Sequence, residues 1–572
     1  MSSGSGGSGT GDEGAGLPPD KEYYASNRSF LFVCICIGCS YQCLTEFPYL
    51  IISHGGACFL LSYAVVLILL GIPMAAFEMS MGQFRGRGCL EMWTCVPVAK
   101  GVGMAMLLKT FVLTAYKAFQ DGCLFYYFLQ ALQDELPWTK CFTWWGASPL
   151  NCRQCHAEKM KLYETNVKQP FPPGPNDTSF SVCGHHVRVP NSVYLTEVSD
   201  PCRETRRHSE YSFLLFGALK LTSGIEDLGG IRWELLVCYI FAWFVIFVCT
   251  ANGVATVGKI SPILAVLQLG LFGAVTANAL FLPDAKAAII ELIYPRWKAL
   301  LDLKTWSDAT FSVLTGLAIG VGQLQTLASY NVFDTYSLQW AFLILPLVMT
   351  MSNLMGCALV FGVGGSLARH LGSCFQDFET YQLYKTSPAS NMRSKQITLP
   401  SGSMGARLDT SKKLMAPDIP QPAQTTSKPD DRMPEGEKVN HVLKGIADDT
   451  INPLVYKNFT CIDDIIEFVF PFIIFPEVVK SMSMPRLWSG IFFSALFLMS
   501  VDSMIFNLCT VIACAEDLFP RVRANNNINK VAFFACIGMF VSGFPTVTQG
   551  GTYIVKLLED HTIHGVMSQF IL

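Results

Sequence analysis

The chain has 572 residues, 51% of them hydrophobic and 15% charged, with a formal net charge of -3 and a mean hydropathy of +0.36. That balance is one of a polytopic membrane protein and excludes an ordinary soluble domain. With so small a net charge, nothing global points to nucleic acid or to an acidic partner.

Residues 1–28, Gly/Ser-rich through residue 20, lack an apolar cluster in that stretch, so a disordered cytoplasmic N-terminus is expected rather than a signal peptide. Ser29 to Thr45 carries no charge; after Glu46 the run from Phe47 to Phe77 is again free of Asp, Glu, Lys and Arg. A turn around His54-Gly55-Gly56 divides this into two spans. Glu78 ends the second, and Arg85 and Arg87 follow in a Gly-rich loop, so the positive-inside bias runs the first span from inside to outside. Within it, Pro48 predicts an interruption of the helix over Glu46 to Leu50. At membrane depth such a break is tolerated only against protein or a water-filled cavity.

A third span, 101–133, is apolar except for Lys109, Lys117 and Asp121. Lys117 and Asp121 are four apart and share a helix face, so a mutually neutralising pair is expected; left apart they are costly in a bilayer, and an ammonium left free could bind an anion. The polar stretch 137–209 holds Cys141, Cys152, Cys155, Cys183 and Cys202, and its Asn176-Asp177-Thr178 is a glycosylation acceptor if the loop is outside. The other cysteines fall mainly in apolar spans, as small hydrophobes. Spans four and five are expected over Leu235 to Thr250 and Ile260 to Leu282. The sixth, Ala309 to Phe333, is Gly-rich at its centre, which predicts a second broken helix; one in each half points to an inverted repeat. Span seven covers Leu338 to Leu367, and 369–461 is polar and aperiodic, a long disordered outer insertion with a second acceptor at Asn458. Span eight, Leu487 to Cys514, contains one acid, Asp502; span nine is Val531 to Val547, and a tenth segment bears Lys556 and Glu559. The fold expected is all-α and polytopic, with about ten spans in two five-helix repeats over 29–282 and 308–572, spans one and six being unwound.

Several words in fixed order carry a resemblance. Phe47-Pro48-Tyr49-Leu50, His54-Gly55-Gly56, Gly71-Ile72-Pro73, Glu78, Gly82-Gln83, Leu136-Pro137-Trp138 with Cys141, Leu228-Gly229 to Trp233, and Ala328-Ser329-Tyr330-Asn331 follow one another. Together they resemble the neurotransmitter:sodium symporter family over residues 28–368 and 461–572. The family has twelve spans, so the resemblance implies that the last two are missing.

The resemblance implies a sodium site built from the carbonyls of Cys36, Cys39 and Met499 and the side chains of Asp502 and Ser503. A second sodium site falls on Cys43, Gly316 and Val348, which offer no hard side-chain ligand, and the chloride site falls on Ala76, Ser312 and Gly316, leaving Ser352 alone. One sodium ion and no chloride are therefore expected. At the substrate site Ser40 stands where amine carriers have Asp, so a monoamine would lack its partner; Lys117 stands at the family's Tyr position beside Tyr116, with Leu317, Ala318 and Val321 as the apolar remainder. The outer-gate Arg position is Glu46 and its acid is Glu559, with Lys556 one turn away, which implies a charge-swapped gate of Glu46 with Lys556. Asp517 matches the inner-gate acid, with only Arg28 near the missing N-terminal Arg. A disulfide between Cys141 and Cys152 is implied by the same likeness.

The function expected is sodium-coupled symport of a small organic solute, an amino acid or derivative, by a multi-pass protein of the plasma membrane. The alternatives are a transport-inactive relative with a regulatory or binding role and a proton-coupled carrier. No nucleophile–base or metal-ligand cluster falls in a soluble stretch, so an enzyme is not expected. The partners are the solute and the lipid bilayer, with no nucleic acid and no oligomeric state implied.

Overall fold

Hydrocarbon offers no partner to a backbone N–H or C=O, so apolar segments must close their hydrogen bonds internally, and helices result. A computed structural model describes residues 23–24, 26, 28–147, 152–153, 178–182, 185–189, 207–222, 224–283, 285–293, 295–332, 337–386, 470–519 and 528–562. Among them, seven helices are long and apolar enough to cross a membrane, or eight if the bent pair α1 (Ser29–Gly38) and α2 (Gln42–Ser53) is counted as one span. The others in chain order are α3 (Ala57–Arg85), α4 (Lys100–Ala131), α5 (Trp233–Thr250), α6 (Val254–Leu280) and then α7 (Ala285–Ile293), which is too short to cross. After these come α8 (Leu303–Gly316), α9 (Gln323–Ala328), α10 (Ser337–Thr386), α11 (Pro485–Leu518), α12 (Ile528–Gly543) and α13 (Gly551–Thr562). The expectation of about ten spans is met only in part, because α8 and α9 are the two short halves of an interrupted helix and the described part of α13 is short.

Both expected interruptions exist, one of them displaced. The first lies at Cys39 to Tyr41, where the axis turns by 43°, while Pro48 sits inside α2. Pro48 forgoes one hydrogen bond more than a turn into that helix, a loss that α2 absorbs. The true break follows Gly38, which lies so close to α10 that a Cβ there would stand 3.1 Å from the Leu345 carbonyl oxygen. The second break is residues 317–322, where Ala318 (φ 55°), Gly320 (φ 75°) and Gly322 (φ 79°) are all left-handed.

One further expectation needs correction. Helix α10 continues to Thr386, past the expected end at Leu367 and into the stretch read as disordered from residue 369, with no proline in 368–386 to end it. The expected all-α class holds for the membrane-spanning helices, and short strands occur in the 137–209 loop: β1 (Cys152–Arg153) pairs in parallel with β4 (Arg207–His208), and β2 (Thr178–Val182) pairs antiparallel with β3 (His185–Val189). Residues 1–22, 387–469, Asn176 and Asn458 lie outside the described residues. Cys141 is disulfide-bonded, and the side chain of Cys152 is outside the described set.

The long helices α4 and α11 pack along each other at the centre; α1 lies against α6 and α10, and α9 against α3. Near the α4–α11 end that carries the 137–209 loop, Tyr127 stacks on Trp138 (ring centroids 5.5 Å apart) and Phe475 stacks on Phe492 (3.6 Å). Lys480 ties the apolar turn Phe470–Val479 to Glu210 and to Glu477 (2.8 Å). The loop before α5 meets the loop before α13, the Gly550 N–H donating to the Leu228 carbonyl at 3.0 Å and the Gly230 N–H to Gln549 Oε1 at 3.2 Å.

Small residues set how closely these helices approach. A Cβ at Gly356 would collide with the Cys43 carbonyl, and one at Gly82 with the backbone of Gln325. Gly356→Ala and Gly82→Ala should each cost about 1–3 kcal/mol by overpacking, read as a lower thermal unfolding midpoint of the purified protein. Gly270→Ala, where nothing lies within 4 Å of the added methyl, should leave the midpoint unchanged.

Candidate functional site

A broken helix exposes backbone groups that neighbouring side chains must satisfy. For the second break, α3 supplies Glu78, whose Oε1 accepts the Gly320 N–H at 2.9 Å, and α4 supplies Thr110, whose hydroxyl lies 2.5 Å from the Val321 carbonyl oxygen. Glu78 is 3% exposed, so this contact lies inside the protein. Below the break, Gln323 Nε2 donates to Asn507 Oδ1 of α11, and Thr326 Oγ1 accepts the Cys89 N–H at 3.2 Å.

Held open in this way, the two breaks face a shared cavity. Helix α1 and the first break contribute Cys36 and Ser40; the second break contributes Ala318 and Val321; α4 contributes Lys109, Leu113, Lys117 and Gln120; α11 contributes Asp502, Ser503 and Asn507. Seven of the residues expected from the sequence are therefore brought together: Cys36, Ser40, Lys117, Ala318, Val321, Asp502 and Ser503.

Tyr116 and Leu317 are not among the lining residues. Tyr116 stands about 100° around α4 from Lys117 and turns into the packing, buried at 2% exposure. Leu317 is fully buried and points toward α3, where its Cδ1 would lie 3.0 Å from a Cβ at Gly71. The expected pair of Lys117 with Asp121 does not form either, since among the described residues no ion pair within 4.0 Å joins them. Asp121 is fully buried behind the cavity, near Ser500, with both carboxylate oxygens lacking a hydrogen bond. Lys117 instead points into the cavity.

The expected sodium ligands fall at the first break. Asp502 is 1% exposed and its Oδ2 is a buried, unpartnered oxygen. Cys36 and Cys39 lie close enough to feel its charge, Ser503 adjoins it, and Met499 is one helical turn back on α11. Gln268 of α6 is its polar neighbour, and both amide atoms of Gln268 also lack partners within hydrogen-bond geometry. An orphaned carboxylate oxygen among amide, hydroxyl and backbone oxygens is a donor set suited to a hard monovalent cation.

Elsewhere, Glu46 is half-buried on α2, as are Lys556 and Glu559 on α13. Asp517 is held by another segment than the expected N-terminal Arg28, which is exposed: Oδ2 accepts the Gly88 N–H and Oδ1 lies 3.8 Å from Arg87. The sequence reading assigned no site role to Lys109, Gln120, Gln323, Asn507 or Glu78. The spacing of Lys109, Leu113, Lys117 and Gln120 puts them on one face of a helix, a signal that was available, whereas nothing local marks Gln323 and Asn507 as partners across 184 positions.

A family model described as the sodium:neurotransmitter symporter family matches residues 21–571. The chain is similar to a sodium- and chloride-dependent glycine transporter 2 of Xenopus laevis, 25% identical over 559 residues, which cover 96% of this chain and 58% of the transporter. It is also similar to a sodium-dependent nutrient amino acid transporter 1 of Drosophila erecta, 28% identical over 354 residues (62% of this chain, 52% of that protein). The Drosophila virilis counterpart is 24% identical over 544 residues, covering 95% of this chain and 67% of that protein. The chain thus spans between about half and two thirds of the length of these relatives.

Because Glu78 is the acceptor for a buried amide, Glu78→Ala should destabilise by about 1–3 kcal/mol, the cost of an unpaired buried group, and lower the thermal midpoint. Glu78→Gln, which retains the acceptor, should lower it less.

Proposed function

The chain belongs to the sodium:neurotransmitter symporter family, and from that premise we propose that it is a sodium-coupled carrier of a small organic solute, an amino acid or derivative, working by alternating access across the plasma membrane. The family is one of transporters rather than enzymes. The observation that carries the reading is Asp502, a buried carboxylate with an unpartnered oxygen placed against a helix break that opens onto a cavity. An intramembrane acid in that setting is costly to keep without a cation. The names of the glycine transporter and the nutrient amino acid transporters to which the chain is similar support the substrate class.

In this reading Asp502, Ser503 and the carbonyls of Cys36, Cys39 and Met499 hold one sodium ion, and the solute sits beside it against Ser40, Lys117, Ala318 and Val321. In this reading no chloride ion is required, since Ala76 and Gly316 supply no side-chain ligand where the family would place one and only the hydroxyls of Ser312 and Ser352 are left. Residues 29–282 and 308–572 act as two inverted repeats rocking about the breaks, with the N-terminus cytoplasmic, a Cys141–Cys152 disulfide and glycans at Asn176 and Asn458 outside. Glu46 with Lys556 forms the outer gate beside Glu559, and Asp517 belongs to the inner one.

Uptake of a pool of labelled amino acids into cells with the chain verified at the surface should be higher in sodium than in choline. It should also persist when gluconate replaces chloride. Asp502→Ala removes a buried ligand, a loss of about 3–5 kcal/mol, so sodium affinity should fall roughly a hundredfold or more. Uptake indifferent to sodium but driven by a proton gradient would replace sodium with protons as the coupling ion. No uptake in either medium would favour a transport-inactive relative. For the gate, Glu46→Lys and Lys556→Glu should each reduce uptake, and the double reversal should restore part of it.

A further inference from the structure

The cavity holds two ammonium groups: Lys117, which the carrier reading sets against the solute, and Lys109, which it leaves without a task. Lys109 and Lys117 both line it, and neither makes a hydrogen bond or an ion pair with any described residue. The carboxylates nearest to them stand behind the wall: Glu78 is engaged by the Gly320 N–H, and Asp121 is buried next to Ser500. Asp502 is the one acid in the lining. With a cation on Asp502, the described lining keeps no acid to pair with the two ammonium groups inside the cavity, and Glu78 and Asp121 act on Lys109 and Lys117 only from behind the wall. Water alone is a poor answer at this depth, where unpaired charge is expensive.

We propose that the solute is a short dicarboxylate, with or without an α-amino group, held by Lys109 at one end and Lys117 at the other. The spacing supports this. Eight residues of helix set the two Cα atoms about 12 Å apart along α4, and two flexible lysine side chains on one face at that spacing can close on the two ends of a four- or five-carbon diacid through charge-assisted hydrogen bonds. Leu113 lies between the lysines on the same face, and Phe311, Ile319 and Phe506 supply the apolar wall that a methylene chain needs. Ser40, lacking a carboxylate, leaves that part of the site without a counter-charge for a cationic solute.

This inference rests on the carrier reading for its site but is tested by binding alone. The full chain, purified in detergent, is heated with succinate, glutarate, glutamate or glycine, in sodium and in choline. The dicarboxylates should raise the unfolding midpoint in sodium and glycine should not. Lys109→Gln and Lys117→Gln should each weaken the dicarboxylate about tenfold or more, as loss of a charged hydrogen bond predicts, while Lys117→Arg should retain most of the affinity. Stabilisation by glycine in preference to every diacid, stabilisation by none of the four, or Lys→Gln variants binding as well as the parent would each overturn the proposal. Equal stabilisation by diacids in sodium and in choline would uphold it and overturn the sodium coupling instead.

Discussion

The constraint on which the rest of the structure depends is that a helix cannot be interrupted in hydrocarbon unless something else takes up its loose backbone groups. Here both interrupted helices are central, and their neighbours serve the breaks. Glu78 on α3 receives the Gly320 N–H, Thr110 on α4 sits at the Val321 carbonyl, and the Gln323–Asn507 pair fixes the start of α9 to α11. The uninterrupted helices are thus more than walls. Polar side chains in α3, α4 and α11, costly in lipid, are stabilised because the breaks need them. The breaks in turn expose the backbone oxygens that could serve a cation.

The same arrangement separates charge. Asp502 sits at the first break, the two lysines lie along α4, and Asp121 is withdrawn behind them. Direct pairing of Lys117 with Asp121 would be the cheapest local solution on an isolated helix in water, worth a few tenths of a kcal/mol. In the folded protein Asp121 is instead seated between α4 and α11, near Ser500, although separating buried charges costs more there than in water. The helix faces are decided by tertiary contacts, and the ammonium is left to the cavity.

The fold was legible in the sequence wherever it depends on long apolar runs and glycine. The turn at His54-Gly55-Gly56, helices α5 and α6 and the glycine-rich break in span six all stand near their expected places, because hydropathy and left-handed backbone geometry are local properties. Pro48 misled because a proline inside a helix interrupts it only if the surroundings fail to compensate, whereas the break lies at Cys39 to Tyr41, just after the close approach of Gly38 to α10. Seven of the expected site residues meet at one cavity, since they lie on the two breaks and on single faces of α4 and α11. Tyr116 and Leu317 were misplaced by small rotations, of about one residue around a helix or one left-handed turn. Lys109 was visible as a charge, and its i, i+4, i+8 spacing with Leu113 and Lys117 put it on the face that lines the cavity.

Whether so eroded a member of the family is still a working carrier can be argued from cost. The positions that lost their usual ligands, Cys43, Ala76, Gly316 and Val348, now carry small or apolar side chains, as drift toward a packed interior would produce. Lys109, Lys117, Asp121 and Asp502 do not fit that trend. An ion pair taken apart inside a protein leaves each charge uncompensated at a cost of several kcal/mol, and replacing any of the four by an apolar residue would relieve part of it. A chain kept only as an inert scaffold has no reason to hold two unpaired ammonium groups and an orphaned carboxylate around one cavity. The proposed cation on Asp502 and the proposed anion between the lysines would each relieve part of that cost, as the cargo of a symporter would.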